Sequence, residues 1–544
     1  MTRRHVVLGA CLVGLVAFLS WLIAYLLWFR GLMGAEALNQ AQIARHLARG
    51  EGFRTSVATP LGLTFEPRVE GRADTTTPPL GPWWMSLFFR CLGANDSSAA
   101  VSAGAAFILS ALALYWLGLR LAGAALAALI GALYSLSFPA VSSALSAPSL
   151  PLSALLVTSF FVALSYISPR PEGADEPTQW LGRARLPLLA AGALAGLATL
   201  TEYYLALLPL AAVWYARGPD RLHRLRAAGW VTAGALVVVL PWAVRQASAT
   251  RHPFFSVRAY DLAAEAWAYP GRSIYRELDA EIRSPAVTAL LHLREMPRKW
   301  GVGLANMRQG LMHSGDVVLA ALFAGGLLFP FQERRLGRLR GMLLVALLLT
   351  TATGCLLTTR VALVSAFGPA IAAFGLGRVA PLLVQLRRRS TRLRVGTGTA
   401  LLGLLSLLIA LPFVCAVIGL RERAVPNVAA FERLRAVLPA DTVVMTDVPW
   451  QVAWRAERFA VELCNTDRQL DMIHDVIGVG ALYLTGAASA LPGREYAPGE
   501  ERGDWWQFAL RRTASYKGFE LDPNWTSGGV LRHAMGDSEE GGGS

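Results

Sequence analysis

The chain alternates long apolar runs with short connections rich in arginine, and few folds accept that pattern. The runs fall at Val6–Phe29, Ala100–Leu119, Ala122–Phe138, Leu150–Ile167, Leu186–Thr201, Tyr204–Tyr215, Ala228–Val244, Val317–Phe331, Met342–Thr358, Val361–Leu383 and Thr397–Leu420. A helix of about 20 apolar residues crosses ~30 Å of hydrocarbon. Residues are 54% hydrophobic and only 16% charged, whereas soluble domains carry about a quarter charged. The pattern predicts a polytopic α-helical membrane protein of about 11 spans.

The formal charge of +14 does not point to nucleic acid, because its placement follows the membrane. With Arg3 and Arg4 inside, the clusters at Arg170/Arg183/Arg185, Arg217–Arg226, Arg334–Arg340 and Arg387–Arg394, and the turn at Arg120, all fall on one side. That is the positive-inside bias of cytoplasmic loops. Val6–Phe29 lacks a small-residue cleavage site and reads as a retained span. The N-terminus is thus expected in the cytoplasm, with two long polar loops (residues 30–97 and 245–316) and everything after 420 outside. Within the first loop, Pro79–Cys91 is too short to span, and its tryptophans suit a surface helix. The five cysteines show no CxxC or metal spacing and read as small hydrophobes. Gly192 and Gly196 form a GxxxG pair, which a close helix–helix contact explains.

Beyond residue 420 the apolar runs stop. Val428–Leu438 reads as a helix, Thr442–Thr446 as a strand, Phe459–Leu463 as a second strand, Arg468–Ile477 as a helix and Ala481–Thr485 as a third strand. This alternation predicts a small extracytoplasmic α/β domain over 421–536, ending in a flexible tail at 537–544, behind a membrane domain at 1–420.

The first outer loop opens with an amphipathic helix. Ala37, Ala41, Ala44 and Ala48 share one face with Ile43 and Leu47, while Asn39, Gln42, Arg45, His46 and Arg49 form the other. This predicts a helix lying at the membrane surface, stopped at Gly50. Glu36 stands at its N-terminal edge, where a negative charge is favoured. It is either a solvated cap or a working base.

Charges within the spans are scarce, which disfavours an ion or proton pathway. The polar residues gather outside, next to lipid, as a substrate with an apolar tail and a reactive head requires. Asp74 is either solvated or a second acid. Glu202 and Tyr203 lie at the outer end of a span, to contact substrate or to mark the interface. Arg360 reads from its position as an interfacial anchor between two spans. His46, His252, His292 and His313 all fall outside, with no two at ligand spacing.

Residues 35–53, AEALNQAQIARHLARGEGF, resemble the first external loop of the GT-C membrane glycosyltransferases, the group that includes protein O-mannosyltransferases and lipid A aminoarabinose transferases. In that group an acid, usually Asp, stands seven positions before the Ile; here it is Glu36. TTTPPL followed by WWMSLFFRCLG resembles the family's Pro-Pro-Leu surface helix, with Thr77 where His or Lys is frequent. ALSAPSLPLSALL resembles the second external loop, with Ala147 in place of an acid. Arg360 ahead of Pro369 resembles the arginine that faces the donor phosphate, and DVPWQVAW resembles the outer α/β domain of some bacterial members.

The resemblance implies sugar transfer, hexosyl or pentosyl, from a polyprenyl-phosphate donor to a lipid, glycan or protein acceptor at the outer face of a bacterial cytoplasmic membrane. Glu36 is then the base and Arg360 the phosphate clamp, with Arg245 and Arg258 as further phosphate ligands. Asp74, Glu202, Tyr203 and Tyr260 are the substrate-binding candidates. Relatives differ in using a divalent cation, so that cofactor stays open. The departures at Glu36 and Ala147 leave a second expectation: a protein of the same fold without catalysis, acting as a scaffold through its periplasmic domain.

Overall fold

A computed structural model describes residues 3–146, 149–167, 177–216, 221–267, 269–278, 287, 290–291, 293–314, 317–328, 331, 333–357, 366–378, 394–419, 425–491, 510, 514–525 and 529–534. The chain divides into two compact units. One comprises residues 1–32, 78–254 and 300–424; the other comprises 33–77, 255–299 and 425–544.

The first unit is helical. Arg3–Trp28, Asp96–Ala122, Ala184–Thr201, Arg224–Thr250 and Leu336–Leu356 are long and apolar enough to cross a membrane, and a bent pair makes a sixth. That pair replaces the expected straight span at Ala122–Phe138: Ala124–Ser135 and Phe138–Ser146 meet at 55°. Pro139 explains the break, since it has no N–H to continue the first helix yet fits the first turn of a new one. Ser149–Ser165, Tyr203–Tyr215 and Gly403–Val417 are shorter apolar helices. The segment expected to form a surface helix is helical over Leu80–Leu92, burying Met85 and Phe89 and exposing Trp83. Val7, Leu8, Leu12 and Leu15 of the first helix are exposed, as side chains facing lipid would be.

The GxxxG pair marks a close crossing. A Cβ on Gly192 would lie 2.0 Å from the Val231 carbonyl oxygen, and one on Gly234 would lie 2.1 Å from that of Leu189. Only glycine lets the Pro177–Thr201 and Arg221–Thr250 backbones approach this far.

The second unit is built on a seven-stranded sheet. Its strands are β1 (Val57–Ala58), β2 (Val443–Thr446), β3 (Phe459–Glu462), β4 (Val479–Leu484), β5 (Ser515–Tyr516), β6 (Phe519–Leu521) and β7 (Val530–Ala534), in the order β1-β3-β2-β4-β7-β6-β5. The first four are parallel, and β7, β6 and β5 continue antiparallel. Strand alternation sends Met445, Val461 and Leu482 to one face, against Leu470 and Ile473 of the Asp467–Ile477 helix. Val444, Ala460 and Tyr483 point to the other, against Phe431 and Leu434 of the Val428–Val437 helix. Two covered faces explain why these strands read as continuous apolar runs.

The C-terminal segment therefore does not form this unit alone. The segment 30–97 supplies β1, and the segment 245–316 supplies the 3₁₀ turns Val257–Leu262 and Ser273–Arg276. Buried polar contacts sew the second loop to the sheet. Asn465 Nδ2 donates to the Ser273 carbonyl at 3.0 Å and to Glu277 Oε1 at 2.6 Å, and Gln469 Nε2 donates to Glu277 Oε2 at 2.7 Å.

Candidate active site

The Ala35–Ala48 helix carries the site. Its face of Ala37, Ala41, Ile43 and Ala44 is buried as the alanine spacing predicts, but its polar face is not a water face. Gln42 and Arg45 are buried too. Gln42 Nε2 donates to Asn39 Oδ1 (3.0 Å) and Thr55 Oγ1 (2.9 Å), and its Oε1 accepts from the Ser56 amide. Arg45 donates to the carbonyls of Trp454 (2.8 Å) and Ala453 (2.7 Å), with its guanidinium 4.9 Å from the Trp454 ring. These carbonyls belong to a π-helical turn, Val452–Ala456, that ends at Glu457 in the left-handed region. Burial pushes the Arg45 guanidinium down to about 10, so it stays charged at neutral pH. Burial also pushes Glu457 up, but Arg45, Arg49 and Arg435 around it win and hold its carboxyl below the usual range. The helix is thus fixed by its polar side to protein, where sequence reasoning placed it on a membrane surface.

Glu36 lies in the first turn of this helix, with its side chain 51% exposed. Its neighbour is Arg258, whose Nη1 is 3.4 Å from Glu36 Oε1. The two residues are 222 positions apart in sequence. Arg258 also approaches the buried Asp261, Nε to Oδ2 3.5 Å. Asp261 in turn accepts from the Tyr275 hydroxyl at 2.8 Å, and its main-chain carbonyl accepts from Lys299. Burial pushes Lys299 down to about 8 and Tyr275 well up. Asp261 was not singled out by sequence; its spacing of three from Arg258 within a 3₁₀ turn was the available signal.

Asp74 and Tyr260 belong to the same unit. Asp74 is buried, and its Oδ1 accepts from the amides of Thr76 (3.0 Å) and Thr77 (2.7 Å). Thr77 in turn accepts from Asn39 at 2.9 Å, so Asp74 shapes the TTT turn against the helix that bears Glu36. Tyr260 is fully buried among Leu61, Val257 and Ile274, and burial pushes its hydroxyl up to about 12. Arg245, Glu202 and Tyr203 belong to the helical unit. Arg245 donates to Gln246 at 2.6 Å and lies over Trp242; Glu202 is buried and accepts from Ser149 at 2.8 Å; Tyr203 is half-buried. Arg360, Ala147 and His292 lie outside the described residues.

A second constellation has the spacing of a nucleophile, base and acid. His46 Nε2 is 2.8 Å from Ser56 Oγ, and Nδ1 is 2.5 Å from Glu51 Oε2. Acyl transfer also needs amides aimed at a developing oxyanion. Here the Ser56 amide is bound to Gln42 and that of Val57 to Thr55. We therefore read the group as a strut between the helix and β1.

The two candidate acids are engaged by protein groups in this structure. Glu36 faces a guanidinium and Asp74 faces amides. Among the described residues no three His, Cys, Asp or Glu side chains gather as a metal set.

Comparison with known proteins agrees with this architecture. Residues 76–244 match the family model described as dolichyl-phosphate-mannose-protein mannosyltransferase. No curated protein matches in sequence. Among solved structures, the chain resembles the oligosaccharyltransferase AglB of Archaeoglobus fulgidus in complex with an inhibitory peptide and a dolichol-phosphate. The identity is 12% over 87% of this chain and 69% of that one, with a TM-score of 0.54. The A. fulgidus oligosaccharyltransferase in complex with Zn and sulfate matches at 14% identity, 87% and 69% coverage and a TM-score of 0.55. ArnT from Cupriavidus metallidurans bound to undecaprenyl phosphate matches at 15% identity over 98% of both chains, with a TM-score of 0.53. With these matches beside its apolar spans and sheet-bearing second unit, the chain carries the GT-C fold of the integral-membrane glycosyltransferases.

Proposed function

We propose that this protein moves a sugar from a polyprenyl-phosphate donor to an acceptor at the outer face of the cytoplasmic membrane, with an eleven-span topology and a cytoplasmic N-terminus. The observation that carries the reading is the meeting of Glu36 and Arg258, a half-exposed carboxylate and a guanidinium, at the head of a helix whose far end is locked in place. Support comes also from relatives of the same fold, which hold a dolichol-phosphate or undecaprenyl phosphate.

The chemistry follows from the pair. The acceptor hydroxyl attacks the anomeric carbon in line, and Glu36 takes its proton as the new C–O bond forms. The bond from that carbon to the phosphate oxygen breaks on the opposite side, which inverts the anomeric centre. The lipid phosphate leaves with the negative charge, and guanidinium groups stabilise it; Arg258 and Arg360 take this role. Glu36→Gln should lower transfer from lipid-linked sugars by at least ~10²-fold in isolated membranes, the range of a lost general base. Full transfer by this variant at normal expression removes Glu36 as the base.

One observation favours the scaffold reading. Asp74 is consumed by a turn, which leaves Glu36 as the one acid at the helix head with an exposed side chain among the described residues. A scaffold works unchanged in Glu36→Gln, so the same variant separates the two readings. Deleting the chain after Arg421 does not, because it also removes β3 from β1 and the carbonyls that hold Arg45.

A further inference from the structure

Arg258 stands between two carboxylates of unlike character. Glu36 is half exposed, while Asp261 has only 4% of its side chain exposed. Asp261 is held by the Tyr275 hydroxyl at 2.8 Å, and Lys299 bonds the carbonyl of the same residue. Tyr275 is itself buried and sits under Arg272, whose guanidinium is 4.6 Å from its ring centroid. The Asp261 contact is therefore built from fixed, desolvated groups, while the Glu36 contact ends in a side chain that water reaches. A guanidinium has N–H donors on more than one edge, so Nε serves Asp261 while Nη1 faces Glu36.

We propose that Asp261 is a positioning residue. It holds Arg258 so that the Glu36 carboxylate and an incoming phosphate compete for the same guanidinium edge, and phosphate binding releases Glu36. This rests on the donor reading above. Without donor, the Glu36 carboxylate faces Arg258 rather than the acceptor hydroxyl. With donor bound, the phosphate takes the Nη edge, Asp261 keeps Nε in place, and Glu36 turns to the acceptor hydroxyl. The site would thus arm its base only when a phosphate is present.

The test uses the full chain in detergent, with undecaprenyl phosphate and undecaprenol as probes and binding read by native mass spectrometry. Wild type should prefer the phosphate form. Glu36→Gln should tighten phosphate binding about two- to fivefold, the scale of one partly exposed ion pair. In an Arg258→Gln background the same change should have no effect. Asp261→Asn should weaken phosphate binding about tenfold and Asp261→Glu should restore most of it, while undecaprenol binding stays level in both. Asp261→Glu also guards against a folding defect, since it keeps the charge. If Glu36→Gln leaves phosphate affinity unchanged, or tightens it equally without Arg258, the competition is refuted while the donor reading stands. If wild type does not distinguish the two lipids, the donor reading itself fails.

Discussion

Replacing Arg45 with Met tests how the helix bearing Glu36 is held. The substitution keeps much of the apolar stem and removes the guanidinium. Two buried carbonyls, of Ala453 and Trp454, lose donors at 2.7 and 2.8 Å. An orphaned buried acceptor costs about 1–3 kcal/mol. The stacking on Trp454 goes as well, about 0.5–2 kcal/mol. Against this, Arg45 no longer has to be desolvated, and Glu457 keeps Arg49 and Arg435 at 3.2 and 3.0 Å. The net is a loss of about 2–4 kcal/mol from the second unit. Arg45→Lys, which can still serve one carbonyl, should lose about half of that. Hydrogen exchange is the assay: amides of residues 35–48 and of β1 and β3 should exchange ~30- to 1,000-fold faster in Arg45→Met if these elements open together. Unchanged protection there would refute the claim that this contact fixes the helix.

Two further outcomes follow from the geometry. Burial depresses His46, with the Glu51 contact opposing it, so its folded value lies below its ordinary 6.5. The unfolded chain then binds the proton more readily; this contribution is present above about pH 6.5 and is lost as pH falls through the folded value. The second unit should melt lower at pH 5.5 than at pH 7.5, and His46→Gln should flatten that slope; an identical slope in the variant would remove His46 as its source. Gly192→Leu should drive a side chain into the Val231 carbonyl, costing more than about 3 kcal/mol. Thermal unfolding in detergent should show a collapse in this variant and only mild loss for Gly403→Leu, where no atom lies within 4 Å.

Apolar length made the candidate membrane helices legible, because a span must satisfy its backbone internally and so reads as one long apolar helix. The strands at 443–446, 459–462 and 479–484 were legible for a similar local reason: short apolar runs bounded by turn residues. Glu36 could be named as a candidate, since its place at a helix start depends only on its neighbours in the chain. What it touches could not. Arg258 reaches it across 222 positions, and no local pattern encodes that pairing. The same limit applies to the polar face of the first-loop helix. Asn39, Gln42 and Arg45 have the spacing of a wetted surface, and only the arrival of Thr55, Ser56 and the Val452–Ala456 turn makes that surface an interior. Likewise, β1 is two residues long and becomes a strand only because β3 offers it an edge. Sequence alone determined that the chain is mostly helical and carries helices long and apolar enough to cross a membrane. Tertiary structure decided which distant loops share one unit, because buried hydrogen bonds form between groups that only the folded chain brings within 3 Å.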